Sequence, residues 1–446
     1  MGKVVIIGAG LAGLTCAKVL KQQGWQDLLL LEKSDGPGGR VRTDVVDGFR
    51  LDRGFQVLFT AYPGVQRHLH LRDLNLRNYR PGAVLAKPGQ AFLLGDPLRD
   101  LASGIPSLLN PLATPLDKLK ILQLRAQLAQ RSPEQVFREG LGGEDLSIRE
   151  FLHQYGFSPA ICQHFLYPFY RGILLDPDLN SSARLFAFYF KMMAEGSIAT
   201  PALGMGDIAR QLADHLAPDQ IRYQTPVEQI EVEEGKVCGI RTRTGDKIAA
   251  DWVICATDAL QAQVWQQTLF KGLSDHSVHS AYGLEQPPVP IPTQARSVTC
   301  LYFRAPFSLT RGGYLYLNAS GRGWINHWVE LTHISPDLAP TGQHLYSVVV
   351  LGDPPLSDED LAQTCCAELQ DYFPKAPVEH LQVVRVYRIP FAQFVQPPGF
   401  QAHLPTVFSG IQGLVWAGEY TQQSSIEGSL RSGEQAAESV LKGGRA

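Results

Sequence analysis

The chain has 446 residues, of which 44% are hydrophobic and 19% charged, and its formal net charge at pH 7 is -3. This length exceeds what one ordinary hydrophobic core holds, so it predicts two intertwined domains. The slightly acidic net charge and the lack of a run of basic residues give no electrostatic support for nucleic-acid binding.

The seven cysteines are scattered along the chain and odd in number. They show neither zinc spacing nor a disulfide framework, which predicts a reducing compartment. No secretory signal precedes the first predicted strand, and no apolar run reaches the length of a membrane span. We therefore expect a cytoplasmic protein, with room for a peripheral, monotopic contact with a membrane.

The first predicted element is a strand at residues 4–7, an uninterrupted Val and Ile run suited to a sheet buried on both faces. Gly8, Gly10 and Gly13 follow and open a helix predicted over residues 11–23. Glycines so placed allow a tight turn, a close backbone approach to a pyrophosphate, and close packing of helix on strand. The helix N-terminus adds unpaired N–H groups and a partial positive charge. This order of elements predicts a dinucleotide-binding site.

The second predicted strand, residues 27–32, ends in an acid. Glu32 lies about twenty residues past the glycines, where a carboxylate binds the ribose hydroxyls and would repel the 2′-phosphate of NADP. Gly38, Gly39 and Arg40 follow. An arginine approached through two glycines can give a bound pyrophosphate a second charge-assisted contact.

The middle of the chain is predicted to be helical. Thr114 is a plausible N-cap and Pro115 a good first-turn residue for a helix through about residue 128. Further helices are predicted over residues 146–164 and 181–195, in a segment dense in aromatic side chains. Core packing explains most of these aromatics better than a substrate channel does. The helix after Thr114 is compatible with docking on a membrane or on its own domain.

The remainder alternates between strands and helices. A small antiparallel ribbon is predicted between residues 220 and 256, with turns at 234–235 and 244–246. Five strand candidates lie between residues 297 and 390, and the chain closes with a strand, LVWAGE, and an amphipathic helix. These alternations predict a nucleotide-binding domain assembled from three separated segments and interrupted by two insertions.

Four segments resemble a known family. The GG-R extension at residues 38–40 is similar to the pattern of the flavoprotein superfamily that contains amine oxidases, protoporphyrinogen oxidases and carotene desaturases. The closing WAGEYTQQSSIEGSLRSGEQAAESVL resembles that of plant-type and cyanobacterial carotene desaturases, and LDRGFQVLFTAYPGV and TPVEQIEV resemble their flavin and adenine segments. Plant-type desaturases commonly read GLH where this chain reads GFQ, so the resemblance leaves the substrate class open.

The resemblance implies an α/β fold, mixed with α+β, in which a Rossmann-like FAD-binding domain of the glutathione-reductase type carries an inserted mixed-sheet and helical substrate domain. The implied FAD-binding segments are residues 1–85, 201–286 and 405–446. Residues 86–200 would form a helical insertion that contributes to the substrate site and to any membrane contact. Residues 287–404 would form the mixed sheet of the substrate domain.

The same resemblance implies where FAD binds. Glu419 would contact the ribityl or pyrophosphate region, the helix start at Ile426 would point N–H groups at the flavin pyrimidine edge, and Val227 would bind adenine through its backbone. The predicted cofactor-binding residues are Gly8, Gly10, Leu11, Ala12, Gly13, Glu32, Lys33, Gly39, Arg40, Gly54, Gln56, Val57, Val227, Ala256, Gly418, Glu419, Ser425 and Ile426.

The function implied is an FAD-dependent oxidoreductase that dehydrogenates a bulky, lipophilic small molecule, carotenoid-like or tetrapyrrole-like, by hydride transfer to flavin N5. An electron acceptor such as a quinone or oxygen would reoxidise the flavin. Two alternatives stay open: a flavin amine oxidase that produces peroxide, and a redox-neutral FAD-containing isomerase or assembly flavoprotein. No catalytic side chain is identified. His68 and His70 lack metal-binding partners in the sequence, so no metal site is expected.

Overall fold

The fold is that of a computed structural model, which describes residues 2–96, 99–100, 110–271 and 288–443. The expected domain boundary between residues 286 and 287 lies outside these ranges. In chain order the described strands are β1 (Val4–Ile7), β2 (Leu28–Leu31), β3 (Thr43–Val46), β4 (Phe49–Asp52), β5 (Leu58–Phe59), β6 (Leu76–Asn78), β7 (Gly82–Lys87), β8 (Gln90–Gly95), β9 (Ile198–Pro201), β10 (Ile221–Arg222), β11 (Val227–Glu233), β12 (Lys236–Thr242), β13 (Lys247–Ala249), β14 (Trp252–Cys255), β15 (Ala295–Ala305), β16 (Leu315–Asn318), β17 (Ile325–Glu330), β18 (His344–Leu351), β19 (Gln382–Phe394) and β20 (Leu414–Trp416).

The described helices carry their own numbering. They are α1 (Leu11–Gln22), α2 (Pro63–His68), α3 (Pro115–Ala129), α4 (Pro133–Glu139), α5 (Ile148–Tyr155), α6 (Pro159–Ile161), α7 (Tyr167–Leu174), α8 (Ala183–Glu195), α9 (Gly206–Ala213), α10 (Ala259–Leu269), α11 (Asp358–Tyr372) and α12 (Ile426–Gly443), with a π-helical turn (Cys162–Leu166) between α6 and α7. Among the described residues, no helix is both long enough and apolar enough to cross a bilayer.

A five-stranded parallel sheet forms the first layer, in the order β10-β2-β1-β14-β20. Its strands come from three separated parts of the chain. Every residue of β1, β2 and β20 is buried. Continuous apolar runs suit this position because helices cover both faces of such a sheet. The chain leaves β1 for β2 on one side and reaches β14 on the other, so the order reverses beside β1. Ligands bind at the carboxyl ends of the strands at such a reversal.

A seven-stranded mixed sheet forms the second large layer, in the order β19-β15-β18-β17-β16-β7-β8. Its pairs are antiparallel except for β16 with β7, which run parallel. The hairpin of β7 and β8 therefore belongs to this sheet. The domain boundary expected at residue 85 falls inside β7. The sequence suggests a boundary there because Pro and Gly residues around the hairpin are typical of a segment that leaves a domain.

The helical segment starts where the sequence predicts and departs from the prediction further on. Thr114 caps α3 through a capping box with Asp117. The single helix predicted over residues 146–164 is wrong: α5 ends at Gly156, whose φ of 81° is the left-handed conformation that glycine adopts at helix ends. The chain restarts at Ser158, which caps α6. The apolar periodicity continues across this break, so the pattern alone did not show it.

The last helix, α12, packs against α1 at closest range through Gly433. A Cβ added at Gly433 would collide with the backbone oxygen of Ala12 and lie 2.9 Å from Cβ of Thr15. The absence of a side chain therefore lets the C-terminal helix lie directly on the helix that follows the glycine turn. This contact fixes where the first turn of α12 begins relative to the parallel sheet.

Glu427, in the first turn of α12, is fully buried against α2. Its Oε2 accepts a hydrogen bond from the backbone N–H of Gly64 at 2.8 Å, and its Oε1 has no partner among the described residues. Burial disfavours the charged form and raises the pKa of Glu427 from 4.5 to about 7. The folded state therefore holds a proton on this carboxyl at a pH where the unfolded chain has released it.

Replacing Glu427 by Gln should make the protein more stable above neutral pH. Because the folded pKa lies above the unfolded pKa, the stabilisation from protonated Glu427 is full below about pH 4.5 and is lost as the pH rises through 7. Glu427→Gln should raise the free energy of unfolding at about pH 8 by on the order of 1–3 kcal/mol and change it little at about pH 5. Thermal unfolding at both pH values measures this. Glu438→Gln, an exposed carboxyl on the same helix, is the control, and equal effects of the two variants would contradict the assignment.

Candidate functional site

The glycine turn after β1 presents free backbone N–H groups to the edge of the parallel sheet. Gly8 has a φ of 110°, and Gly10 caps α1 without any side-chain hydrogen bond. The first-turn N–H groups of an α-helix have no intrahelical partner, so here they remain available to an anion. A Cβ added at Gly13 would collide with the backbone oxygen of Gly8 and lie 3.1 Å from Cβ of Ala256. Gly13 therefore serves the close packing of α1 on the turn.

Glu32 lies at the end of β2 beside this turn and is only 6% exposed. Its Oε2 accepts from the backbone N–H of Ala9 at 2.8 Å. Its Oε1 accepts from the backbone N–H of Ser34 at 2.8 Å and from the Ser34 hydroxyl at 2.7 Å. These bonds hold the carboxylate in one orientation next to the glycine turn, where the sequence predicts a contact with ribose.

The GG-R extension runs alongside the same turn. The backbone N–H of Gly38 donates to the carbonyl of Ala9 at 2.8 Å, and a Cβ at Gly39 would meet Cα of Gly10 at 3.6 Å. Arg40 follows, forms an ion pair with Glu419, and donates to the carbonyl of Ala392 at 3.1 Å. The extension thus brings a guanidinium beside the N-terminus of α1 and couples it to the C-terminal part of the chain.

The segment between β20 and α12 closes the site from the other side. The backbone N–H of Gly418 donates to the Ser432 hydroxyl at 2.8 Å, and the N–H of Gly428 donates to the Ser425 hydroxyl at 2.9 Å. A Cβ at Gly428 would collide with the carbonyl of Gln423. The tight chain reversal before Ile426 therefore aims the first turn of α12 at the same edge of the sheet as α1.

One cavity of about 640 Å³ connects these parts. Its size lies within the range of pockets that enclose a cofactor or a small ligand. Of the predicted cofactor residues, the structure places all but Gly13 on its wall: Gly8, Gly10, Leu11, Ala12, Glu32, Lys33, Gly39, Arg40, Gly54, Gln56, Val57, Val227, Ala256, Gly418, Glu419, Ser425 and Ile426.

The cavity also has a wall that sequence reasoning did not identify. It comes from α7, from the seven-stranded sheet and from residues that follow β4, β6 and α7. It is mostly apolar: Phe55, Tyr79, Phe169, Gly172, Ile173, Leu175, Val298, Leu315, Leu317, His327, Val349 and Ile389. The alternation of apolar residues in the strand candidates shows which ones are buried, but it does not show which sheet face meets the cofactor.

His327 is a buried polar group in this wall, 3% exposed. The side-chain nitrogen of Asn326 donates to the carbonyl of Pro168 at 3.1 Å, which identifies it as the amide NH2 group. Because this group can only donate, His327 Nδ1, 2.9 Å away, accepts its second hydrogen. Nε2 has no partner among the described residues. Burial lowers the pKa of His327 to about 3, so the imidazole is neutral at physiological pH. The wall therefore carries no fixed charge at this position.

The residues present fit FAD. The uncapped first turn of α1 suits a pyrophosphate, and a Cβ added at Gly10 would meet nothing within 4 Å, so the space beside the turn is open. Oε1 of Glu419 and Oε1 of Gln56 are buried on the cavity wall and have no hydrogen-bond partner in the described part of the chain. Buried polar atoms are normally hydrogen-bonded, so these oxygens call for a ligand with donors such as ribose or ribityl hydroxyls.

Replacing Glu32 by Ala should weaken the retention of FAD. Hydrogen bonds to charged groups contribute about 1.5–3 kcal/mol each, so the dissociation constant should rise about tenfold or more. Fluorescence titration of the flavin-free protein with FAD measures this constant. The control is Asp35→Ala, three residues after Glu32, which removes an exposed carboxylate that pairs with Arg42. An unchanged constant for Glu32→Ala would show that Glu32 does not bind the ribose.

Comparison with known proteins agrees with this geometry. The family model described as flavin containing amine oxidoreductase matches residues 11–441. The chloroplast and chromoplast 15-cis-phytoene desaturase of Arabidopsis thaliana is 23% identical over 497 aligned residues, which cover 99% of this chain and 80% of that protein.

Solved structures share the fold. An oxidoreductase from Methanosarcina mazei has a TM-score of 0.73 at 19% identity and covers 99% of this chain and 100% of its own. A putrescine oxidase bound to putrescine has a TM-score of 0.67 at 18% identity and covers 99% of both chains. These matches confirm the predicted resemblance, fold class and flavin cofactor. The chain belongs to the flavin-containing amine oxidoreductase family and is an FAD-dependent oxidoreductase.

Proposed function

We propose that this enzyme dehydrogenates a bulky apolar substrate, carotenoid-like or tetrapyrrole-like. The observation that carries the proposal is the mostly apolar wall that continues the cofactor cavity into the seven-stranded sheet. When bound, FAD supplies a two-electron acceptor that takes a hydride from a C–H bond held near N5. The chain's own task is to hold that bond in place and to keep water out.

The positions of the carboxylates on the cavity wall support a substrate without a positive charge. Among the described lining residues, the carboxylates are Glu32, Asp258 and Glu419, and all three come from the nucleotide-binding elements. Asp258 lies 3.8 Å from Lys33, and Glu419 pairs with Arg40. The part of the wall built by α7 and the seven-stranded sheet therefore presents no carboxylate to a cationic amine. Burying an unpaired charge there would be costly.

A flavin amine oxidase is the second candidate. Aromatic side chains from several elements, among them Phe55, Tyr79, Phe169 and Tyr189, line the same cavity. Aromatic faces attract ammonium groups, so this arrangement favours an amine if the rings face one another across the flavin. A redox-neutral flavoprotein that uses FAD without net oxidation is the third candidate.

A lipophilic substrate also suggests contact with a membrane surface. Helix α3 exposes Leu116, Leu119 and Leu122, each more than half exposed, on the face opposite its buried Leu124 and Leu128. Spacings of three residues place the exposed leucines on one side of the helix. We propose that this face enters the interface of a bilayer and that the substrate is taken up from there.

The proposed function predicts which donor reduces the bound flavin. Under anaerobic conditions, mixing the FAD-loaded protein with a detergent-dispersed polyene or a reduced tetrapyrrole should bleach the visible flavin absorbance, and a quinone should restore it. Leu315→Lys, which places a charge in the apolar wall, should lower this reduction rate at least about tenfold and retain FAD. Leu260→Lys, at an exposed position on α10, is the control.

Two results would contradict the proposal and separate the alternatives. Reduction by primary amines with release of peroxide, and none by lipophilic donors, would establish the amine oxidase. A flavin that can be photoreduced and reoxidised by quinone, yet is reduced by no donor, would favour the redox-neutral flavoprotein.

The membrane contact predicts a loss of vesicle binding in a charged variant. The double variant Leu119→Glu, Leu122→Glu should sediment with phospholipid vesicles several-fold less than the parent protein, because acidic side chains do not enter the bilayer interface. Val264→Glu alters an exposed apolar residue on α10 and should bind as the parent does. Equal sedimentation of parent and double variant would remove α3 as the contact.

A further inference from the structure

Glu330, His333 and His344 meet at one end of the seven-stranded sheet, outside the cavity wall. Glu330 ends β17, His333 ends the 3-10 helical turn Leu331–His333, and His344 begins β18. One ligand atom from each residue lies within 4.8 Å of those from the other two. Imidazole nitrogens and a carboxylate oxygen are the ligand types that zinc takes from such residues.

The strand register brings these residues together. β17 and β18 are antiparallel, with Glu330 opposite Tyr346. Residues two apart on a strand point to the same face, so His344 is a diagonal neighbour of Glu330. His344 Nδ1 lies 2.7 Å from Glu330 Oε1, and His333 Nε2 lies 3.3 Å from the same oxygen. Both imidazoles therefore converge on one carboxylate oxygen.

The other oxygen of Glu330 is fully occupied and sets the orientation of the carboxylate. Glu330 is 1% exposed. Its Oε2 accepts from the backbone N–H and hydroxyl of Thr310 at 3.0 and 2.9 Å, from the Ser308 hydroxyl at 3.0 Å and from the N–H of Leu309 at 3.2 Å. With Oε2 fixed in this way, Oε1 faces the two histidines. A buried carboxylate of this kind is preorganised as a ligand.

The partners of His333 fix its tautomer. Nδ1 lies 3.2 Å from the carbonyl oxygen of Gly312, which can only accept, so Nδ1 carries the proton. Nε2 then lies 3.3 Å from Glu330 Oε1 and 3.3 Å from the Ser308 hydroxyl. A proton on Nε2 or a metal ion between the two atoms can hold Nε2 and Oε1 at this distance. A backbone carbonyl on the far ring nitrogen is also the usual support of a histidine that binds a metal.

We propose that Glu330, His333 and His344 form a binding site for a divalent transition metal of the Zn²⁺ class. Two histidines and one carboxylate leave a fourth position of a tetrahedral site for water. Ligand atoms about 2.0–2.2 Å from zinc stand roughly 3.3 Å apart in that geometry, which matches the separation of His333 and Glu330. The side chain of His344 is 30% exposed, so its ring can turn outward until Nδ1 stands roughly 3.3 Å from Glu330 Oε1. It loses its Nδ1 proton to solvent when it binds.

The site would stabilise the sheet and take no part in redox chemistry. The metal would join the ends of β17 and β18, and with them the connecting residues 331–343. None of its ligands lines the FAD cavity, so the proposal does not depend on the substrate.

Metal content and stability test the proposal on the full-length, FAD-loaded protein. After treatment with a chelator and dialysis, titration with zinc chloride followed by calorimetry and elemental analysis should show one tightly bound zinc per chain. Zinc should also raise the unfolding temperature, because a ligand that binds only the folded state stabilises it. His380→Ala is the matched control, since His380 is 70% exposed and lies 3.8 Å from Glu379, and no third ligand stands beside them among the residues that the structure describes.

Two variants decide the outcome. The double variant His333→Ala, His344→Ala should lose the zinc and its stabilisation while it keeps FAD and flavin reduction. His344→Gln retains a polar partner for Glu330 and should weaken zinc binding at least about tenfold, which covers the case in which the double variant fails to fold. Equal zinc uptake by the parent protein and either variant would overturn the proposal, as would a parent protein that takes up no zinc.

Discussion

Contact between backbone atoms at glycine positions holds the cofactor site together. Gly13 lets α1 touch the turn after β1, and Gly433 lets α12 touch α1. In both places an added Cβ would collide with a backbone oxygen, which a rotamer change cannot relieve. Two helix N-termini, from opposite ends of the chain, are thereby brought to one edge of the parallel sheet. The positive ends of both dipoles then face the same cavity.

Ionic contacts join the parts that the glycines bring close. Arg40 pairs with Glu419 across almost the whole length of the sequence, and Glu32 binds the backbone of the glycine turn. These charged groups lie on the cofactor side of the cavity, whereas the wall from α7 and the seven-stranded sheet is mostly apolar. Charged and polar groups would therefore bind the FAD, whereas the substrate would be held by shape complementarity and hydrophobic burial.

Local features of the site could be predicted from the sequence, because glycine conformation, helix capping and strand patterning act over a few residues. The β1 turn, Glu32 and the capping of α3 by Thr114 are of this kind. Glu419 and Ile426 could be placed only through a family resemblance, since nothing local relates them to Arg40. The break at Gly156 was missed because apolar periodicity continues across it.

Features that depend on strand register could not be predicted. His327 reaches the cavity wall, and Glu330 and His344 meet, only because β17 and β18 pair in one particular register. A shift by one residue would turn these side chains to the other face. The Glu-x-x-His spacing at Glu330 and His333 was a usable signal, but its third member lies eleven residues further along, beyond a turn that the sequence does not define.

A crystal structure of the protein with FAD and a polyene hydrocarbon would test the central claim most directly. We expect the pyrophosphate at the N-terminus of α1, the flavin pyrimidine edge at Ile426, and the polyene between the flavin and the wall that contains Leu315 and Leu317. A flavin whose reactive face points away from this wall, or a polyene bound elsewhere, would contradict the account.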